Sequence, residues 1–151
     1  MSGSSMFSAL KRALGDKPGP EGPKRVLVVD DEDAVRRFVA RALQEAGYET
    51  LMADDGPTAL AVAEKEASID ILVTDLMMPQ MNGDELARRM LHTRPGLKVL
   101  YLTGFSDKLF KDKVTLWQDE AFLEKPCSVK GLLEAVSLLT TGTINAPRRD
   151  A

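Results

Sequence analysis

The sequence predicts an α/β domain built on a doubly wound, five-stranded parallel sheet. Short apolar runs of β type alternate with stretches of helical period, the pattern of strands joined by crossover helices. The first, third, fourth and fifth runs end in Asp30-Asp31, Asp75, Thr103-Gly104 and Glu124-Lys125. In a sheet wound on both faces these positions share the carboxyl edge of the strands, where such folds place their ligands.

The elements follow in order. Residues 15 to 23 read Gly-Asp-Lys-Pro-Gly-Pro-Glu-Gly-Pro, a composition that opposes helix and strand, so residues 1–23 form a flexible tail and linker. Within that tail Phe7, Leu10 and Leu14 are spaced for one face of a short helix, which is marginal alone. The strands are Val26 to Val29, Tyr48 to Ala53, Ile69 to Thr74, Leu97 to Leu102 and Ala121 to Leu123. Between the first two, Val35, Phe38, Val39, Ala42, Leu43 and Ala46 recur on one buried helical face, and Gly47 stops the helix. Pro57 opens the second helix, Leu86 and Met90 mark the third, Asp107 to Trp117 the fourth, and Val129, Leu132, Leu133 and Val136 the last. Residues 24–140 thus form the domain, and 141–151 a frayed tail.

Composition excludes several classes of function. Twenty Lys and Arg against 23 Asp and Glu give a net charge of -3, too balanced for binding nucleic acid through bulk charge. The longest stretch without a charge, Ala135 to Pro147, is 13 residues and partly polar, which excludes membrane insertion there and elsewhere. With no apolar secretory segment and the single cysteine Cys127, a cytoplasmic location is expected.

Asp30, Asp31, Asp75, Thr103 and Lys125 therefore converge. Carboxylates 4 Å apart repel by about 4 kcal/mol per pair at an effective dielectric near 20, and a divalent cation relieves this. Magnesium suits the set, because it takes oxygen ligands and is commonly held by one or two carboxylates with phosphate oxygens. Asp75 is the candidate nucleophile, able to accept a phosphoryl group, and Lys125 the point charge that pairs with it and then with a phosphate oxygen. The loop from Asp75 to Gly83 also offers the Met77 backbone carbonyl to the metal.

Asp30-Asp31, the Asp-x-x-Met-Pro-x-Met-x-Gly of Asp75 to Gly83, Thr103-Gly104 and Lys125-Pro126 match in order and spacing the motifs of another group of proteins. Over residues 24–140 the chain resembles the receiver domains of two-component response regulators. The resemblance implies a flavodoxin-like sheet of order 2-1-3-4-5 with five surrounding helices. It implies phosphotransfer to Asp75 from the phosphohistidine of a sensor histidine kinase or a histidine phosphotransfer protein. Asp31, Asp75 and the Met77 carbonyl would hold magnesium, with Asp30 assisting through water. Thr103 would swing to a phosphoryl oxygen, and Phe122 would rotate inward and alter the surface of the fourth helix, fifth strand and fifth helix that meets a downstream protein effector. Phe122 stands where Tyr is frequent, and Cys127 where Phe is common. Met77 and Phe105, two residues past Asp75 and Thr103, occupy positions that tune hydrolysis, and their apolar bulk predicts slow loss of the phosphoryl group.

Other readings are weaker. Asp54-Asp55-Gly56 reads as a turn and helix cap, His92 as a surface residue, Cys127 as packing, and Met77, Met78 and Met81 as loop packing. Phe110 and Trp117 fit either the core or the responsive surface. The 34 residues outside the domain are too few for a DNA-binding or catalytic output module, so a stand-alone regulator acting through protein contacts is expected. Alternatives are a receiver from a hybrid sensor kinase, to which Tyr101 to Phe105 is similar, and a phosphorylation-independent interaction module. An aspartyl-phosphate hydrolase is disfavoured by Met77, where such enzymes carry a second Asp.

Overall fold

The computed structural model describes residues 22–104, 120–125 and 127–141. Five parallel strands, β1 (Arg25–Val29), β2 (Glu49–Ala53), β3 (Ile71–Asp75), β4 (Lys98–Thr103) and β5 (Glu120–Glu124), form one sheet of order β2-β1-β3-β4-β5. The described helices are α1 (Asp33–Glu45), α2 (Gly56–Glu64), α3 (Gly83–Thr93) and α4 (Val129–Thr141). The expected fourth helix, Asp107 to Trp117, lies outside the described residues, as do Phe105, Phe110, the tail before Gly22 and the end after Thr141.

The alternation of side chains along each strand divides the interior into two cores. Val26, Val28, Ile71, Val73, Leu100 and Leu102 face α1 and α4, packing on Val39, Leu43, Leu132 and Val136. Leu27, Val29, Leu72, Val99 and Tyr101 face the other way, toward Ala59, Leu86, Ala87 and Met90 of α2 and α3. Because β3 is central and covered on both sides, all five of its residues are buried, whereas only Ala53 of edge strand β2 is.

Three strands end one residue later than hydropathy predicts, β5 running from Glu120 to Glu124 rather than Ala121 to Leu123. β3 begins at Ile71 rather than Ile69 and ends on Asp75, and β4 begins at Lys98 and ends on Thr103. Asp75 pairs with Leu102 and Thr103 with Glu124, so parallel ladders carry the polar residues into the strands. Helix faces also shift at their edges. Phe38, expected in the core, is 40% exposed while Ala40 is buried, because the buried arc of α1 centres on Val39 and Leu43. Ala46 is exposed beyond the helix end, and Gly47 stops it with a φ of +100°. Val129 likewise lies exposed at the start of α4, with Leu139 joining Leu132 and Val136 inside.

Candidate functional site

The carboxyl edges of β1, β3, β4 and β5 meet at one place. Asp30, immediately after β1, is fully buried, and its backbone N–H donates to the Ala53 carbonyl at 3.3 Å. Its Oδ1 accepts from the Glu32 N–H at 2.9 Å, while the Arg36 guanidinium donates to its backbone carbonyl at 2.8 Å. Asp31 is exposed beside it, and Asp75 is 6% exposed at the end of β3. Carboxylate oxygens of Asp30, Asp31 and Asp75 all lie within 4.8 Å of one another. Such hard oxygen donors fit a divalent cation.

Lys125 reaches this cluster from the loop after β5, held by its own N–H donating to the Thr103 carbonyl at 2.8 Å. Its Nζ stands 3.3 Å from Asp30, 3.5 Å from Asp75 and 3.5 Å from Glu32. Burial pulls the ammonium pKa down, but the Asp30, Asp75 and Glu32 carboxylates outweigh it and leave the pKa raised. Burial likewise raises Asp30. For Asp75, burial and the neighbouring Asp30 outweigh Lys125 and, with Asp31, push the carboxyl up to about 7. One ammonium does not offset the acidic group without a further cation. Thr103 is fully buried, and its hydroxyl has no hydrogen-bond partner among the described residues. A buried hydroxyl at this edge is a donor for an arriving oxygen.

The loop between β3 and α3 is shaped by close approach. A Cβ on Gly83 would sit 2.2 Å from the Asp75 carbonyl oxygen, so only glycine lets α3 start against the end of β3. The Gly83 N–H donates to the Leu76 carbonyl at 2.8 Å, and Gln80 takes a φ of +71°. Met78 and Met81 turn into the core, as expected of loop packing, whereas Met77 is 48% exposed and does not pack there.

Phe122 sits half-buried on β5, opposite Tyr101 in register, its ring stacked on the tyrosine with centroids 4.9 Å apart. Asp55 caps α2 by accepting from the Thr58 N–H at 2.8 Å, and Asp54 stands outside the acidic cluster. His92 is exposed, and Cys127 is partly buried against the α1 and α4 core. Sequence reasoning missed Glu32 and Arg36. Their only signal was position, just after the Asp pair and one turn into α1.

A five-stranded parallel sheet with an acidic cluster, a lysine and a buried hydroxyl at its switch edge defines an acidic-pocket α/β domain. The sequence model of the response regulator receiver domain matches residues 26–137. The chain is 34% identical over 113 residues to the response regulator receiver protein CpdR of Brucella abortus, covering 75% of this chain and 93% of that one. It is 38% identical over 116 residues to the sensor kinase CckA of the same organism, 76% of this chain but 12% of the kinase. Among solved structures, the chemotaxis response regulator CheY4 of Vibrio cholerae superposes with a TM-score of 0.64 at 33% identity, over 78% of this chain and 98% of that one. This chain belongs to the response regulator receiver family and is a receiver domain of a two-component system. Among the described residues, no helix is long and apolar enough to cross a membrane.

Proposed function

We propose that the domain accepts a phosphoryl group on Asp75 from a phosphohistidine of a sensor histidine kinase or histidine phosphotransfer protein, and passes the signal to a protein effector. The carrying observation is the convergence on Asp75 of Asp30, Asp31 and Lys125, with the Thr103 hydroxyl on the adjacent strand unpartnered among the described residues. An Asp75 carboxylate oxygen attacks phosphorus, the phosphorus–nitrogen bond breaks, and the donor imidazole keeps the electron pair. Asp30, Asp31, Asp75 and the Met77 carbonyl would hold magnesium, which when bound offsets the charge gathering on the phosphoryl oxygens. Lys125 turns from Asp75 to a phosphoryl oxygen, and Thr103 donates its hydroxyl to another.

Engagement of Thr103 draws on the end of β4, on which Tyr101 lies two residues earlier against Phe122. Movement of Phe122 would then alter the surface of β5 and the flanking helices, the two-state element read by the effector. Met77 and Phe105 supply no hydrogen bond to an attacking water, so Met77→Asn with Phe105→Glu should shorten the lifetime of the aspartyl phosphate at least severalfold. Unchanged or slower decay overturns that role.

The 38% identity to part of a sensor kinase supports a second reading of context, in which the receiver belongs to a hybrid kinase and relays the phosphoryl group onward. The site chemistry is the same in both. Intact mass after incubation with magnesium and acetyl phosphate tests it. A gain of one phosphoryl group in the wild type, lost in Asp75→Ala, is expected. No gain under conditions that label another receiver would favour a phosphorylation-independent interaction module.

A further inference from the structure

Lys125 faces three carboxylates, and the proposed phosphotransfer accounts for only two of them. Asp30 and Asp75 are buried members of the acidic cluster. Glu32 is different: its side chain is 64% exposed, it lies outside the cluster, and its Oε1 stands 3.5 Å from Lys125 Nζ. It occupies the N-cap of α1 yet makes no side-chain cap. Its backbone N–H instead holds Asp30 Oδ1 at 2.9 Å, so this one residue grips both Lys125 and its buried partner. Glu32 and Lys125 also share the wall of a groove of about 660 Å³ with Val35, Phe38 and Cys127. An anion on that wall, 3.5 Å from Lys125 Nζ, opposes an anionic donor drawn toward the lysine.

On the reading that Asp75 is a phosphoacceptor, we propose that Glu32 is a positioning residue that retains Lys125 at the rim and repels anionic phosphodonors, thereby setting the rate of phosphoryl capture. Once a cation offsets the charge of Asp30 and Asp75, Glu32 is the carboxylate left to hold the ammonium. Transfer then requires Lys125 to leave it for the phosphoryl oxygen. The charge of Glu32 slows capture twice, by holding the lysine and by opposing the donor.

The test compares wild type, Glu32→Gln and Glu32→Asp at saturating magnesium, with dianionic acetyl phosphate and singly charged phosphoramidate as donors. Glu32→Gln should raise the second-order rate constant for acetyl phosphate about three- to fivefold, the scale of a partly exposed ion pair. The gain should be smaller for phosphoramidate and should shrink as salt is added. Glu32→Asp, which keeps the charge, should stay within about twofold of the wild type. A readout without phosphodonor is acylation of the Lys125 amine at saturating magnesium followed by peptide mass, which should be faster in Glu32→Gln. Equal acceleration with both donors, none with either, or unchanged acylation overturns the proposal. If the wild type takes up no phosphoryl group on Asp75 from either donor, the phosphoacceptor reading fails and this inference with it, whereas labelling at equal rates in all three proteins defeats the role of Glu32 alone.

Discussion

At the scale of single residues, the Asp75 carboxyl is stable when protonated and costly when charged. Its pKa of about 7, against 3.8 ordinarily, means the folded chain keeps a proton that the unfolded chain has already lost. Stability without divalent cation should therefore fall as pH rises from about 4 to 7 and level off above. Asp75→Asn removes that penalty, so it should gain about 1–3 kcal/mol over the wild type at pH 8 and less at pH 5 in urea denaturation. Equal gains at the two values would contradict the burial argument. Gly83→Ala should act in the opposite direction. The added methyl cannot coexist with the Asp75 carbonyl, and the shift of α3 that relieves it should cost about 2–3 kcal/mol.

At the scale of elements, each helix is docked by a narrow arc of side chains. Leu43 is fully buried in α1 whereas Phe38 is 40% exposed, so Leu43→Ala should cost about 2–4 kcal/mol and Phe38→Ala under about 1 kcal/mol. Chemical denaturation of the two variants checks the ratio. This arc also shows what was legible in the sequence. Periodicity identified the buried face of α1, but a residue at the margin of a face is decided by its neighbour across the interface, so Phe38 was misjudged. Strand ends were misjudged for a related reason. Hydropathy ends a strand at its last apolar residue, whereas backbone pairing continues through Asp75 and Thr103 regardless of side chain. Asp30, Asp31, Asp75 and Lys125 were legible as candidates because they follow apolar runs and match a set of motifs in order and spacing, which Asp54-Asp55 does not. Glu32 was not, since a lone glutamate opening a helix is ordinary, and only the fold brings it to Lys125 from 93 positions away.

For the molecule as a whole, binding at the acidic cluster and folding are one equilibrium. A cation that binds only the folded chain should stabilise it by about 2.7 kcal/mol at a hundred times its dissociation constant. Magnesium should raise the melting temperature of the wild type by several degrees and that of Asp31→Asn far less, which scanning calorimetry would show. The strand order has a consequence of another kind. β1, first to leave the ribosome, lies between β2 and β3, so three neighbouring strands can assemble while β5 and Lys125 are still unmade. A nascent sheet of those three strands would hold Asp30 and Asp75 close together with no ammonium between them. The lysine, which arrives with β5, is then a latch that closes the acidic edge only once all five strands are made.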